Sequence, residues 1–242
     1  MNGTVIVYGG SGGIGSAVCR SLTNKGAAVH LVGRTAESLA SIAAECNGSY
    51  TVGDVLDPEL FGRVMDNCKG DLAGVVYGVG TINLGSLRRL QTEDFLNDFK
   101  VNAMGAALAV QAAATRLKKN KAGATVVFYS SVAALQGFTF HSSIGMAKAA
   151  INGLTLSLAA ELSPHIRVNA IAPSLVETEL AAPLLANEKT ATAIKQSHAL
   201  KRLGSPSDIA ELTTYLLSPE ASWITGQIIS VDGGRSALRT VG

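Results

Sequence analysis

Charge is scarce in this chain of 242 residues: 16% of the side chains carry one, 20 basic against 18 acidic, for a net charge of +2. A field of one sign is therefore missing, and with it the basic stripe of a dedicated nucleic-acid binder. Three cysteines, Cys19, Cys46 and Cys68, are odd in number and lack metal-ligand or redox spacing. They read as reduced structural thiols of a reducing compartment, and no metal site is expected. Six prolines exclude collagen, and 47% hydrophobic residues exclude a disordered chain. Long apolar runs are missing as well. The richest stretches, around 103–114 and 149–160, contain Gln111 or Asn152 and are flanked by Lys100, Arg116, Lys148 and Glu161. Neither reaches the ~20 uninterrupted residues of a membrane span. The opening Met1-Asn2-Gly3-Thr4-Val5-Ile6 has no basic n-region and no long apolar h-region, so no signal peptide is expected. These absences predict a soluble, cytoplasmic protein with neither a membrane nor a nucleic-acid partner.

Glycine is what the chain has in excess, 26 of 242 residues. Short apolar runs at 4–8, 28–32, 49–53, 73–77, 125–130, 167–172 and 227–231 read as strands, several apolar throughout, as in a parallel sheet covered on both faces. Helical patterns fill the gaps at 13–25, 36–46, 58–68, 92–119, 143–162 and 207–217. The alternation predicts an α/β doubly wound sheet, a seven-stranded Rossmann fold with helices on both faces. With no linker or repeat, residues 1–242 read as a single domain.

Directly after the first strand comes Gly9-Gly10-Ser11-Gly12-Gly13-Ile14-Gly15, then a helix. Glycines there permit a tight turn and a close backbone approach to a pyrophosphate, and the helix N-terminus offers N–H groups and partial positive charge. The second strand ends in Val32-Gly33-Arg34-Thr35. No carboxylate stands there to accept a ribose 2′-hydroxyl, whereas Arg34 suits a 2′-phosphate, so NADP(H) is expected over NAD(H).

From here the chain resembles the short-chain dehydrogenase/reductase family over nearly its whole length. Gly9-x-x-x-Gly13-Ile14-Gly15 fits that family's glycine loop, with Tyr8 where a threonine is usual. Asp54-Val55 looks like its adenine-contacting pair, and Asn102 falls at its active-site asparagine. The run 126–131 ends in its serine pair, Ser130-Ser131, and Arg167–Pro173 is similar to its sixth-strand signature, with Ser174 for the usual glycine. Val176 and Thr178 follow where nicotinamide-carboxamide contacts are expected, and 202–204, 224–227 and 231–234 complete the C-terminal pattern. The resemblance implies cofactor contacts from Gly9, Ser11, Gly12, Gly13, Ile14, Gly15, Arg34, Thr35, Asp54, Val55, Gly80, Lys148, Pro173, Val176 and Thr178.

The resemblance breaks at the reacting centre. The family's tyrosine lies four residues before its lysine and thirteen after the second serine. Counting back from Lys148 and forward from Ser131 both give Ile144. A second departure is Tyr77-Gly78-Val79-Gly80 where Asn-Asn-Ala-Gly is usual. Resemblance implies that the tyrosine gives the substrate oxygen its proton, Ser131 holds that oxygen, Lys148 lowers the tyrosine pKa and holds the nicotinamide ribose, and Asn102 supports a relay water. Isoleucine neither donates nor accepts, so the proton must come through water relayed by Lys148 and Asn102, or from His141 or Tyr77. Reduction of a conjugated alkene, less dependent on such an acid, stays open. So does a catalytically silent NADP(H)-binding scaffold or sensor.

Residues 174–200 are expected to cover the substrate. Leu175, Leu180, Leu184 and Leu185 read as an apolar lid or as core, and Lys189, Lys195 and His198 as a solvated face. Isoleucine at 144 favours an apolar, aliphatic or aromatic, substrate. Small residues at helical spacing, Gly105/Ala109/Ala113 and Gly145/Ala149/Gly153, permit close helix approach within the fold or between copies. The resemblance implies a homo-oligomer, a dimer or tetramer built on these two helices.

Overall fold

The computed structural model describes residues 2–239. Seven parallel strands, β1 (Thr4–Tyr8), β2 (Ala28–Gly33), β3 (Ser49–Val52), β4 (Leu72–Tyr77), β5 (Ala124–Tyr129), β6 (Ile166–Pro173) and β7 (Ile228–Val231), form one sheet in the order β3-β2-β1-β4-β5-β6-β7. Side chains alternate between its faces. On β1, Ile6 and Tyr8 enter one apolar layer while Val5 and Val7 enter the other. The first layer packs against α3 (Leu60–Asn67), α5 (Gly105–Lys119) and α6 (Ser142–Leu162); the second packs against α1 (Gly13–Asn24), α2 (Ala36–Glu45) and α9 (Pro206–Leu217). Central β4 and β5 are buried at every position, which is why they read as largely apolar runs. The order reverses between β1 and β4, and a crevice at the carboxyl ends of strands follows from that reversal.

The helix expected over 92–119 is broken. α4 (Thr92–Phe99) ends in a π turn at Lys100–Met104 before α5 begins, and the Gly105 N–H reaches back five residues to the Lys100 carbonyl. The Tyr77 hydroxyl donates to the Val101 carbonyl at 2.6 Å. A Cβ at Gly105 would overlap that hydroxyl. The widened turn is thus held by a contact from β4, in keeping with the frequent placement of such turns at functional sites.

The small-residue stripe of α5 faces inward: Gly105, Ala109 and Ala113 are buried. On α6, Ala149 and Gly153 are exposed. The segment after β6 contains α7 (Ala182–Leu185) and α8 (Glu188–Gln196). Within it His198 departs from the solvated face expected for it. It is buried, with Nδ1 at 2.7 Å from the Ile194 carbonyl and Nε2 at 2.8 Å from Ser174 Oγ, and ties the end of α8 to the end of β6. Lys189 and Lys195 are exposed.

Candidate active site

A cleft of about 690 Å³ opens at the strand-order reversal. The loop after β1 lines it with Gly9, Ser11, Gly12, Gly13, Ile14 and Gly15. Toward β2 and β3 it is lined by Arg34, Thr35, Asp54 and Val55; beyond β4 it is lined by Gly80 and Thr81, with Thr178 and Leu180 from the segment after β6. A Cβ on Gly15 would overlap the Gly9 carbonyl, so only glycine lets α1 start flush against the loop. α1 begins at Gly13, with Gly12 as its N-cap, no side-chain cap and no acidic residue in its first turn. Its leading N–H groups and positive dipole end are therefore free to face an anion in the cleft.

Arg34 is exposed at the cleft edge. Among the described residues the salt bridges join Arg20 to Glu45, Arg63 to Asp57 and Arg202 to Asp208, so no carboxylate neutralises Arg34. Asp54 turns one carboxylate oxygen to the Leu56 N–H at 2.9 Å. Three expected cofactor residues stand outside the lining: Lys148 lies on α6, Pro173 closes β6, and Val176 is buried in a parallel bridge with Gly204.

At the inner end the polar groups form two hydrogen-bonded arms. Asn102, buried in the π turn, donates through Nδ2 to the Asp98 carbonyl and to Thr81 Oγ1, both at 2.8 Å. The Thr81 hydroxyl donates to Asp98 Oδ1, and the Ser143 hydroxyl to Asp98 Oδ2, each at 2.6 Å. Lys148 Nζ donates to the Tyr129 carbonyl at 2.9 Å. Gly80 lies between the two arms: a Cβ there would sit 2.9 Å from Asn102 Oδ1 and 3.2 Å from Lys148 Nζ. Burial pushes the Lys148 ammonium down to about 8, and the negative charge of Asp98 works in the opposite direction.

Ser131 Oγ accepts from the Ala133 N–H at 3.1 Å, and the Ser130 hydroxyl donates to the Lys148 carbonyl at 3.2 Å. Ile144 is buried on α6, one turn before Lys148, so the two side chains share a helix face.

Of the proton donors open in the sequence, Tyr77 is committed to the Val101 carbonyl inside the fold, and burial raises its pKa. His141 has Nδ1 at 2.8 Å from the Thr139 carbonyl and lines a different groove, with Phe138, Phe140 and Met146. Neither reaches the cleft. Thr81, Asp98 and Ser143 were missed from the sequence. The available signal was the spacing of Asp98 and Asn102, one helical turn apart.

A model of the family described as enoyl-(acyl carrier protein) reductase matches residues 9–236. A tropinone reductase homolog of Arabidopsis thaliana is 34% identical over 241 residues, covering 96% of this chain and 91% of that protein. A solved short-chain type dehydrogenase/reductase from Mycobacterium ulcerans superposes with a TM-score of 0.91 at 30% identity, covering 98% and 90% of the two chains. The chain belongs to the short-chain dehydrogenase/reductase family. It is an oxidoreductase of that family by descent, with the family's seven-stranded sheet. ElxO, solved with NADP bound, gives a TM-score of 0.90 at 28% identity over 98% of this chain and all of that one. Within this short-chain dehydrogenase/reductase, the glycine loop and α1 fit a dinucleotide pyrophosphate by geometry alone.

Proposed function

We propose that the chain is an NADP(H)-dependent reductase of a small, apolar carbonyl compound or conjugated alkene, with Ile144 at the position of the family's tyrosine. The observation that carries this reading is the convergence of Lys148 Nζ and Asn102 Oδ1 on Gly80 at the inner end of the cleft. When bound, NADPH supplies the hydride. The side chains orient the substrate and handle the proton: Ser131 holds the substrate oxygen, and a water held by Asn102 and Lys148 passes it a proton. Buried Ile144 lends the reacting end an apolar wall, and exposed Leu180 at the cleft edge supports residues 174–200 as the substrate cover.

Arg34 and the absence of a carboxylate at the end of β2 support NADP(H), as does the NADP-bound state of ElxO. Gly9, Ser11, Gly12, Gly13, Ile14 and Gly15 take the pyrophosphate, Arg34 and Thr35 the 2′-phosphate, Asp54 and Val55 the adenine, and Gly80, Lys148, Pro173, Val176 and Thr178 the nicotinamide half. The reading takes the chain as one cofactor-binding domain, and exposed Met104, Met146 and Leu156 support a homodimer or tetramer. No helix among the described residues is long and apolar enough to cross a membrane. The buried free thiols Cys19, Cys46 and Cys68 support a reducing, cytoplasmic setting.

The test is NADPH oxidation by the purified protein against panels of ketones, quinones and enones. Turnover of an apolar member is expected. Turnover of small charged substrates alone removes the apolar-substrate reading, and tight NADPH binding with no turnover favours the silent scaffold. For the cofactor, Arg34→Ala should weaken NADPH binding by about 10- to 100-fold, the effect of losing a charge-assisted bond, and leave NADH unchanged. Equal loss for both cofactors in a fluorescence titration would take the 2′-phosphate away from Arg34.

A further inference from the structure

Asp98 has no part in the relay just described, yet its carboxylate is fully buried beside it. Both of its oxygens serve as acceptors, from Thr81 and Ser143. Thr81 Oγ1 already accepts from Asn102 Nδ2, which leaves its own proton for Asp98, the pattern of an ionised carboxylate. A buried charge requires a counter-charge as well as hydrogen bonds.

The other titratable groups on the elements packed around Lys148 are engaged elsewhere or face outward. Asp94 on α4 accepts from the Gln91 N–H and from Asn83. Tyr77 is spent on Val101, and the Tyr129 hydroxyl pairs with Thr213. Lys100 is exposed, His141 sits at Thr139, and Glu179 is exposed at the cleft edge. Lys148 Nζ and Asn102 Oδ1 both approach Gly80, and Asn102 is joined through Thr81 to Asp98, so the ammonium and the carboxylate lie at the same end of the cleft without a direct salt bridge among the described residues.

We infer that Asp98 is a positioning residue of this reductase: through Thr81 it fixes the Asn102 amide, and its negative charge keeps Lys148 an ammonium, so that the lysine is the proton source in place of a tyrosine. The inference rests on the proposed relay. One Nζ–H bond breaks and one O–H bond forms on the substrate, the proton crossing the relay water. The neutral amine then regains a proton from solvent through the cleft.

The experiment is a pH titration of the Lys148 signal by NMR in protein labelled with ¹³C at lysine Cε, assigned by its loss in Lys148→Arg. In Asp98→Asn, with folding checked by circular dichroism, the midpoint is expected to fall by about one pH unit, as when a nearby opposite charge is removed. Asp98→Glu should restore it. Thr81→Val keeps the charge and should leave the midpoint in place while kcat drops. An unchanged midpoint in folded Asp98→Asn overturns the charge role. A second measurement needs no variant: in the wild-type protein the alkaline limb of kcat for NADPH oxidation should coincide with the Lys148 midpoint, and a limb displaced from it by a unit or more overturns the lysine as proton source. The titration needs no turnover, so a silent protein with a shifted midpoint defeats the reductase reading and leaves the Asp98–Lys148 coupling standing.

Discussion

Tyrosine at position 144 is expected to raise the rate of carbonyl reduction at neutral pH by about 10²- to 10⁴-fold, the usual contribution of a positioned general acid. The expectation follows from what stands around Ile144. It lies one turn before Lys148 on α6, and side chains four residues apart on a helix meet on one face. A phenol at 144 would therefore extend beside the Lys148 ammonium, which lowers a neighbouring phenol's pKa by favouring its anion. In the proposed reading Ser131, Asn102 and Lys148 keep their roles, and the acid is the one group lacking. Ile144 is 5% exposed, and the larger ring should cost about 1–3 kcal/mol of stability through overpacking. The measurement is kcat and KM for NADPH-dependent ketone reduction by wild type and Ile144→Tyr. The gain belongs in kcat, because the added interaction acts on a proton that moves only in the reaction. A folded variant with unchanged kcat would show that the proton does not limit the rate, and would sink the assignment of 144 as the acid position. Activity confined to the variant would identify the natural protein as a binder.

The fold was largely legible because each strand had to be apolar on two faces. A sheet covered by α3, α5 and α6 on one side and α1, α2 and α9 on the other leaves no solvent-facing positions inside β4 or β5, and such largely apolar runs stand out between amphipathic helices. The seven expected strands coincide with the observed ones to within two residues at each end. The π turn at Lys100–Met104 was hidden for the opposite reason. Its residues are ordinary helix formers, and what stabilises it is a hydroxyl from Tyr77, more than 20 residues earlier in the chain. No local pattern records such a contact.

The site divides in the same way. Glycines crowded at the first strand–helix junction announce a close backbone approach, and the structure puts them on the cleft floor. Asp98 was silent because an acid in an amphipathic helix ordinarily belongs to the solvent face, and its neighbours Glu93 and Asp94 fit the first turn of α4 without further explanation. Its burial comes from Thr81 and Ser143, on two other segments. Tyr77 and His141 were visible as titratable groups near the missing tyrosine. Whether they faced the cleft depended on side-chain direction: one is turned into the π turn and the other toward Thr139. Sequence spacing locates a residue along an element but leaves its partner undetermined.

Acid should loosen the cofactor end of the protein through a residue outside the cleft. His30 on β2 is fully buried, with Nδ1 at 2.7 Å from Ser49 Oγ and Nε2 at 2.9 Å from Thr51 Oγ1, both on β3. Asn67 from α3 donates to the same Thr51 hydroxyl at 3.1 Å. Burial first, and the positive charge of Arg116 second, pull the imidazole down to about 4 from its usual 6.5. The folded state therefore holds this histidine neutral while the unfolded chain protonates it between pH 6.5 and 4. Unfolding takes up a proton in that window, so its contribution to stability is complete above pH 6.5 and is lost as pH falls toward 4. The full shift corresponds to about 3 kcal/mol. The measurement is urea unfolding of wild type and His30→Gln at pH 7, 5.5 and 4.5. Carboxylates common to both proteins cancel in the difference, so wild type should lose about 2 kcal/mol more than the variant between pH 7 and 4.5, where most of the shift is expressed; parallel losses would show that His30 does not couple folding to pH. β2 runs directly into Arg34, and β3 into Asp54. A proton on His30 places a desolvated positive charge, repelled by Arg116, in the seam between these two strands, and NADPH affinity should fall in the same pH window as the stability.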